Sequence, residues 1–542
     1  MEAAAQPMGW VASLSAVLQP ISDILWGWPT IILLMLTGVY LMLVLGFVPL
    51  LKLPYGLWQL VAGPRHDSLA TGTISNRAAL WTALAATVGT GNIAGVATAI
   101  TLGGPGAVFW MWVSGFLGLA LKYAETSLGV HYRTTTQVKQ PDGTTKEHII
   151  GGPMLYLKHG ARLPSLGMFY AVALGFAAFS VGAMVQSNSM ADVMATSFGI
   201  PPLWLGAVIT LIAAAVMLGG LQRIANAANI LVPSMIGLFV LTGTVILMLN
   251  ADHLGATFAL IFHHAFAPAA AGGGFAGAAV AAAMRYGLAR GIFSNESGLG
   301  SAAVVAAAAK TRHPAEQGFI AMTQTFIDTL VVCTFTALVI LVSGAWQAEG
   351  LASGGAALSA FAFDAGLGFI SIGAFSVGNV ILALCLSLFI FTTILGWGYY
   401  GQQGAVYAFG QRIAKPYLYV YLGLVFMGAA VLEFAASIRE GVALVWMIAD
   451  ITVALMLIPN LIALLILAPT VRRLTRDWLR HLKTGEPLRH AAFHSLPERA
   501  VKAATKPVAA AKPSKPLAKK AAPVAKAKKK AKSNKRAGQR RR

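Results

Sequence analysis

Two short stretches of the sequence combine polar or ionisable residues with glycine inside long apolar surroundings. One is FSNESGLGSA at residues 293–302, where Asn295 and Glu296 are adjacent. The other is ATVGTGNIAG at residues 86–95, which contains Thr90 and Asn92. Glycine allows the backbone to leave a helix, and the N–H groups at a helix start can then bind an anionic group. These two stretches are where we expect the chemistry of this chain.

The composition places both stretches inside a membrane. Of the 542 residues, 57% are hydrophobic and 11% are charged, and the mean hydropathy is +0.70. Residues 30–51 carry no charge and exceed the about 20 residues that a helix needs to cross the hydrocarbon. A signal peptide is not expected, because residues 1–25 contain Glu2 and Asp23 but no Lys or Arg. The sequence predicts an all-α polytopic membrane protein.

Hydropathy predicts about eleven transmembrane helices. They lie near residues 29–51, 78–101, 106–131, 166–198, 202–220, 227–249, 277–308, 317–343, 370–400, 417–436 and 441–468. If the first is an accessory N-terminal helix, the two interrupted segments are the first helix of each five-helix half. That spacing indicates a 5+5 inverted repeat, and paired broken helices indicate a binding site at the midplane of a secondary transporter.

The charge distribution predicts the orientation and the domains. The formal net charge is +21, but 23 of the 40 Lys and Arg residues and only 3 acidic residues follow residue 469. The loops at 250–276 and 344–368 contain no Lys or Arg, so the positive-inside rule puts them outside the cell, with the N-terminus outside and the C-terminus in the cytoplasm. We therefore predict an N-terminal segment (1–28), a transmembrane domain (29–469) and a basic cytoplasmic tail (470–542).

The tail is a low-complexity Lys/Ala/Pro sequence that cannot bury enough apolar surface to fold alone. One interpretation is a solvated, disordered segment. Another is electrostatic attachment to anionic lipid of the inner leaflet. Specific nucleic-acid binding is not expected, because the Lys/Ala/Pro sequence at residues 506–542 lacks interleaved aromatic residues.

Several other kinds of site are disfavoured. GTGNIA at 89–94 matches a dinucleotide-binding pattern, but apolar spans flank it and the next acidic residue, Glu125, lies too far along the chain. Cys333 and Cys385 lie in predicted spans without a CxxC motif, which indicates two buried free thiols. An enzyme is not expected, because no G-x-S-x-G or H-E-x-x-H motif is present. An ion channel would not require two matched helix breaks.

The motifs together resemble a known family. GTGNIAGVATAI, GGPGAVFWMW (103–112), KYAETSLGVHYR (122–133), GGPMLYL (151–157), FSNESGLGSA and TTILGWGYYGQ (392–402) are similar to those of the alanine or glycine:cation symporters, also called sodium:alanine symporters. The resemblance covers roughly residues 20–470. It implies the leucine-transporter-type inverted-repeat fold and coupled uptake of a small neutral amino acid and Na⁺ across the inner (plasma) membrane.

The predicted substrate site lies at the two interruptions. Backbone N–H groups at Thr90, Gly91 and Asn92 suit a carboxylate, and carbonyls around Phe293, Ser294 and Asn295 suit an ammonium group. A glycine hinge that serves packing alone is the alternative for residues 89–91. By resemblance, Gln186 contacts substrate, or else makes an interhelical hydrogen bond. The resemblance also suggests that Trp397, with Phe293 and Ile394, closes the pocket, and that GGPMLYLKHG lies behind an inner gate.

The sodium site is predicted by analogy with the fold. Carbonyls of Ala85 and Val88 would face the hydroxyls of Thr392 and Thr393, although threonine in a span often bonds its own i−4 carbonyl. Na⁺, a hard cation, is expected to take oxygen ligands.

Three residues are given structural or gating roles. Gly89 and Gly298 allow unwinding, and Glu296 is predicted to accept hydrogen bonds from residues 90–92 or, alternatively, to bind the cation. Asp328 is the second carboxylate considered near the ion, and Asp328 and Asp450 could equally be paired within the bundle. H⁺ coupling and a glutamine-type substrate remain alternatives for the function.

Overall fold

The computed structural model describes seven stretches of the chain, residues 10–62, 72–139, 145–266, 276–348, 355–372, 375–434 and 438–489. The predicted disordered tail beyond residue 489 and the first nine residues lie outside them. The described part is dominated by α-helices, joined by short strands and turns. A mostly helical architecture is thereby confirmed.

The described chain up to residue 198 holds ten α-helices and three strands, two of which pair with each other. In chain order the helices are α1 (Trp10–Leu25), α2 (Trp28–Val44), α3 (Val48–Leu51), α4 (Leu53–Ala62), α5 (Asn76–Thr87), α6 (Val96–Gly103), α7 (Ala107–His131), α8 (Pro153–Leu155), α9 (Pro164–Ala177) and α10 (Gln186–Phe198). Strand β1 (Ile74–Ser75) precedes α5, and an antiparallel hairpin, β2 (Thr134–Lys139) with β3 (Thr145–Ile150), follows α7.

The remaining elements continue this helical pattern. They are α11 (Pro202–Met217), α12 (Leu221–Leu249), α13 (Ala251–Phe266), α14 (Ala276–Asn295), α15 (Ser301–Ala306), β4 (Ala309–Lys310), α16 (Pro314–Thr325), α17 (Thr334–Val342), α18 (Gly355–Leu367), β5 (Ser371–Ile372), β6 (Phe375–Ser376), α19 (Val377–Phe409), α20 (Ala414–Phe434) and α21 (Ile438–Thr484). Strand β4 pairs in parallel with β1, so the start of the first broken helix is joined to the end of the second.

Four π-helical segments interrupt or extend these helices. They span Gly91–Gly95, Tyr156–Gly160, Ala178–Val185 and Phe326–Cys333. π-Bulges inside α-helices occur frequently at functional sites. Three of the four lie on helices that carry a residue of the sites predicted above, namely Asn92, Gln186 and Asp328.

By length and composition, eight helical stretches of the described chain could cross a membrane, and a bent pair makes nine. The bent pair is Asn76–Thr87 with Gly91–Gly103, at an angle of 54°. Helix α11 has only 16 residues, and α14 is separated from α15 by residues 296–300. These interruptions explain why the count falls below about eleven, and the predicted 5+5 repeat remains a prediction.

Both predicted helix breaks are confirmed. Helix α5 ends at Thr87, and Val88 is extended, with φ −74° and ψ 97°. The second break, residues 296–300, contains three residues in the positive-φ region: Glu296 (56°), Gly298 (91°) and Gly300 (75°). Glycine adopts this conformation at little cost, whereas a glutamate there is strained by roughly 1–3 kcal/mol. The surrounding contacts therefore fix the conformation of Glu296.

Two span boundaries differ from the prediction. The span expected at 370–400 begins only at Val377, after the short β5–β6 hairpin, and continues to Phe409. The last span, expected to end at 468, belongs to a 47-residue helix that continues to Thr484. Hydropathy marks the end of the apolar segment, whereas a helix continues for as long as its backbone hydrogen bonds do. The predicted domain boundary at residues 469/470 falls inside this helix.

Close approach between helices depends on small residues. At Gly396 of α19, an added Cβ would lie 2.6 Å from the Cβ and 2.8 Å from the Cα of Ala86 in α5. In a membrane, where helices associate through packing and not through water exclusion, such contacts stabilise the bundle. The first broken helix is thus held against α19 immediately before its break.

We predict that Gly396→Ala destabilises the protein. Because the clash is with helix backbone, overpacking should cost about 1–3 kcal/mol and lower the thermal midpoint of the detergent-solubilised protein. Gly423→Ala, at an exposed helix position where a Cβ meets nothing within 4 Å, is the matched control. Equal thermal midpoints for the two variants would contradict this prediction.

Candidate functional site at the two helix breaks

The first break is organised by two amide side chains. The Gly89 N–H donates to Asn92 Oδ1 at 2.9 Å, and the Thr90 N–H donates to Gln186 Oε1 at 3.3 Å. Gln186 is the first residue of α10, directly after a π-helical segment. The Thr90 hydroxyl is buried and has no hydrogen-bond partner among the described residues. A buried polar atom of this kind is available to a ligand.

The two breaks are in direct contact with each other. At Gly91 a Cβ would lie 3.0 Å from Ser294 Cα and 3.4 Å from Phe293 Cδ1. A side chain larger than hydrogen at position 91 would therefore press on the second broken helix. Gly91 and residues 293–294, all of which belong to the predicted substrate site, are therefore in close contact.

Asp328 joins the two breaks chemically. Its carboxylate accepts hydrogen bonds from Asn92 Nδ2 at 2.7 Å and from Ser294 Oγ at 3.0 Å. A third hydrogen bond comes from Thr329 Oγ1 at 2.9 Å. All four residues are fully buried. One carboxylate on the helix that runs from α16 to α17 thus receives a donor from each broken helix.

The neighbourhood of Asp328 contains further polar groups. Asn295 Nδ2 donates to Thr329 Oγ1 at 3.1 Å, and Asn295 Oδ1 accepts from the Ser297 N–H at 2.9 Å. Cys333 Sγ lies 3.2 Å from Ser294 Oγ. Both cysteines are free and buried, as predicted. The position of Cys333 beside the site was not anticipated.

Glu296 does not make the contacts that we predicted for it. Its carboxylate accepts a hydrogen bond from Ser301 Oγ at 2.5 Å and also faces Thr87 and Trp397. No hydrogen bond joins Glu296 to residues 90–92 in the described chain. The predicted tether between the breaks is instead Asp328. Because φ of Glu296 is +56°, its side chain turns back toward the helix that follows it.

Four side chains outside the break hold its released backbone. Their contacts are Lys122 Nζ to Glu296 O (2.9 Å), Asn460 Nδ2 to Gly298 O (2.7 Å), Tyr170 OH to Leu299 O (2.6 Å) and Gly300 N–H to Glu125 Oε1 (3.1 Å). These groups come from α7, α9 and α21. The break is thus a hydrogen-bonded segment and not a frayed helix end.

Lys122 and Glu125 were missed as site residues, although the sequence signalled them. Both lie inside the apolar helix α7 with 0% of their side chains exposed, and their charged atoms are 3.9 Å apart. An ionisable residue inside a span is expected to be functional. Glu125 also accepts from Asn460 Nδ2 at 2.8 Å.

The predicted inner-gate element, GGPMLYLKHG, packs beneath the second break. A Cβ at Gly300 would clash with the ring of Pro153. The Tyr156 hydroxyl donates to Asn460 Oδ1. This element is therefore a wall of the second break and more than a surface loop.

The two predicted threonine ligands point in different directions. Thr393 Oγ1 lies 3.1 Å from the Val88 carbonyl oxygen and 2.9 Å from that of Phe389, its own i−4 residue. A Cβ at Gly89 would lie 2.5 Å from Thr393 Oγ1. Thr392 Oγ1 instead contacts Phe389 O and, at 3.5 Å, Met235 Sδ of α12. The structure brings Thr393 to the first break and leaves Thr392 on another face of α19.

Apolar and aromatic groups surround the polar ones. Phe293 is 7% exposed and packs on Trp446, with ring centroids 5.0 Å apart. Trp397 is 1% exposed, and its Cβ occupies the space above Gly182. Ile394 is buried and offers its carbonyl to Tyr421. These surroundings are buried and largely apolar, which strengthens electrostatic interactions with any ion inside.

The first break places the negative end of one helix dipole next to the positive end of another. The last carbonyls of α5, including those of Ala85 and Val88, lie at the negative end of a helix dipole, and the segment from Gly91 begins a new helix with a positive end. A cation and a carboxylate can therefore be held side by side. No group of three or more His, Cys, Asp or Glu side chains in the described chain could hold a metal ion. The oxygens at the end of α5 are backbone carbonyls, and the hydroxyl of Thr393 lies beside that of Val88.

Asp450 lies apart from this site. Its carboxylate forms a two-pronged ion pair with Arg290, at 2.9 and 3.2 Å. The guanidinium group also lies 5.2 Å from the ring centroid of Trp446. The interpretation of Asp450 as a paired residue is confirmed.

Comparisons with known proteins match most of the chain to transporters of one family. The sequence model of the sodium:alanine symporter family matches residues 11–492. The chain is 43% identical over 461 residues to a sodium/alanine symporter of Methanococcus maripaludis, covering 84% of this chain and 95% of that protein. It is 44% identical over 472 residues to an uncharacterized transporter of Haemophilus influenzae, covering 87% and 97%. A probable sodium/glutamine symporter of Bacillus subtilis is 34% identical over 466 residues, covering 86% and 91%.

We predict that Asp328→Leu strongly destabilises the protein, because it leaves three buried donors without an acceptor at about 1–3 kcal/mol each. Asp328→Asn keeps the shape of the side chain and one acceptor oxygen, so it should destabilise the protein less than Asp328→Leu does. The measurement is the thermal midpoint of each detergent-solubilised variant. Asp252→Leu, at a side chain that is 77% exposed, is the control. A midpoint for Asp328→Leu as high as that of the control would show that the three hydrogen bonds contribute little.

Proposed function

The chain belongs to the sodium:alanine symporter family, and on that premise we propose that it carries alanine or glycine into the cell together with Na⁺. The family consists of transporters, so the protein is a multi-pass membrane transporter and not an enzyme. The observation that carries the proposal is the contact of Thr393 with the Val88 carbonyl at the first break. It places a hydroxyl oxygen of α19 beside the carbonyl end of α5.

The proposed cation site uses oxygen atoms at the end of α5. The ligands are the carbonyls of Ala85 and Val88 and the hydroxyl of Thr393, and the Thr393 oxygen keeps a lone pair for the ion while its hydrogen points to a carbonyl. Na⁺ is a hard cation and takes oxygen ligands, which carbonyl and hydroxyl groups supply. Thr392 is not in the proposed set, because its hydroxyl faces Met235.

The proposed amino-acid site lies between the breaks. The unpartnered hydroxyl of Thr90 and the N–H of Gly91 would receive the substrate carboxylate at the start of the second half-helix. The Thr90 N–H already donates to Gln186, and the Asn92 N–H donates to the Gly89 carbonyl at 3.2 Å, so neither is free in this conformation. Carbonyls of residues 293–295 would receive the ammonium group. Gln186 would orient the first break through its hydrogen bond to the Thr90 N–H.

Close packing supports a small substrate. Gly91 touches Ser294 and Phe293, and Trp397 fills the space above Gly182. Little room therefore remains for a side chain beyond a methyl group in this conformation. The glutamine-type alternative rests on the name of one relative and would require these aromatic residues to move.

Asp328 would couple the two sites. Its hydrogen bonds to Asn92 and Ser294 make the position of one break depend on the other. When substrate or Na⁺ binds to one break and rearranges it, the shared carboxylate of Asp328 would transmit that rearrangement to the other break. Both breaks are buried, so this conformation is closed to solvent at the site.

The proposed orientation places the N-terminus outside and the C-terminus in the cytoplasm. Lys122 and Glu125 then lie in the cytoplasmic half of α7, beneath the second break. Together with Asn460 they would form the inner barrier that must separate before substrate is released.

The function is tested by uptake in proteoliposomes. We expect an inward Na⁺ gradient to drive accumulation of labelled alanine or glycine above equilibrium, with little accumulation of glutamine. Loss of the response to Na⁺ while a pH gradient still drives uptake would replace Na⁺ by H⁺. Passive, non-saturating flux would reject a symporter.

We predict that Thr393→Ala raises the Na⁺ concentration for half-maximal uptake at least tenfold, because it removes a hydroxyl oxygen from the ion. Thr392→Ala is the matched control: it makes the same chemical change one residue away, on another face of α19, and should leave the Na⁺ dependence within about twofold of wild type. Membrane insertion of both variants is checked by their yield in the monodisperse fraction. Similar Na⁺ dependence for both would remove Thr393 from the site.

A further inference from the structure

A cavity of about 630 Å³ lies at the end of α21, remote from the two breaks. It is lined by five arginines, Arg472, Arg473, Arg476, Arg480 and Arg489. A volume of this size is typical of a site for a small ligand or a lipid headgroup. Positive charge at this density around one space is costly unless an anion neutralises it.

The local fold explains how the arginines come together. Arg472, Arg476 and Arg480 follow each other at intervals of four along α21 and so share one face. After the helix the chain turns at Gly485, where φ is +69°. The turn brings Arg489 back, and its N–H donates to Asp477 Oδ2 at 3.0 Å.

Asp477 is the one acidic residue in the lining, and its oxygens are already engaged. Besides Arg489, it contacts Arg480 at 2.8 Å and His313 at 3.4 Å. Arg480 also pairs with Glu486. Asp477 therefore leaves most of the positive charge of the cavity unbalanced.

Two of the arginines are available to a ligand. Arg472 and Arg476 are exposed, and within the described residues neither side chain forms a hydrogen bond or an ion pair. The planar guanidinium group matches the oxygens of a phosphate with two parallel hydrogen bonds.

The other wall of the cavity is apolar and includes residues of a helix that could span the membrane. It is formed by Tyr40 and Val44 of α2, with Pro469 of α21. Next to them, Leu36 and Leu43 of α2 are 62% and 60% exposed, which is the surface that acyl chains cover. Tyrosine is typical of the boundary between hydrocarbon and headgroups.

We propose that this cavity binds the phosphodiester headgroup of an anionic phospholipid, with its acyl chains along the exposed face of α2. A free phosphate would use the arginines but not the apolar wall, whereas a phospholipid uses both. Basic pockets beside membrane helices at the cytoplasmic surface bind such headgroups. The arginines lie in the first part of the predicted tail, in α21 and the turn that follows it, and not in the Lys/Ala/Pro sequence at residues 506–542.

The test is native mass spectrometry of the full-length protein in detergent with added phosphatidylglycerol or phosphatidylcholine. We expect saturable retention of one phosphatidylglycerol and weak retention of phosphatidylcholine. Arg472→Gln with Arg476→Gln should reduce phosphatidylglycerol affinity roughly tenfold to thirtyfold. Arg412→Gln with Lys415→Gln removes the same charge at exposed positions outside the cavity and should bind as wild type.

Three results would overturn the proposal. The first is an equal loss of phosphatidylglycerol binding in both double variants, which would indicate general electrostatic attraction. The second is unchanged binding in Arg472→Gln with Arg476→Gln. The third is displacement of the lipid by millimolar inorganic phosphate, which would indicate a site for a soluble anion. Thermal midpoints measured without lipid verify that both double variants are folded.

Discussion

A backbone that leaves helical geometry inside an apolar bundle must find partners for the N–H and C=O groups that it releases. In this protein, that requirement determines much of the structure around the site. Four side chains from three other helices take up the released groups of residues 296–300. A π-helical segment and two amide side chains do the same at the first break. The two broken helices can have irregular backbone at the site because side chains on the surrounding helices form hydrogen bonds with the released groups.

The same constraint explains the buried charges. A lysine and a glutamate in the middle of an apolar helix are costly unless each is hydrogen-bonded and paired. Lys122 and Glu125 meet this condition by binding the broken segment itself. Asp328 does so by accepting from both breaks. Each of these three buried groups is therefore stabilised by the irregular backbone or by the residues that border it.

Much of the fold could be predicted from residue types. Glycine beside Asn, Ser and Glu in apolar runs located both breaks within a few residues, since few other reasons exist for polar residues there. The direction in which each side chain points was harder to predict than the position of the breaks. Thr392 and Thr393 are adjacent, but about 100° separates them around a helix of 3.6 residues per turn, and only the packing of α19 shows which one meets the break. Glu296 was assigned the tethering role of Asp328, because its positive φ, which reverses its direction, is not visible in the sequence. The continuation of the last helix beyond residue 470 was not predicted, because hydropathy detects apolar segments and not polar helices outside the lipid.

The thiol of Cys333 has a practical consequence. Its sulfur lies 3.2 Å from Ser294 Oγ, inside the closed contact between the breaks. A thiol reacts with an alkylating reagent as the thiolate, so water must reach it to take up its proton and the reagent must reach the sulfur. The second cysteine, Cys385, is also buried but lies on α19. The rate at which Cys333 is alkylated would therefore report how often the bundle opens at the breaks, without the need to introduce a label.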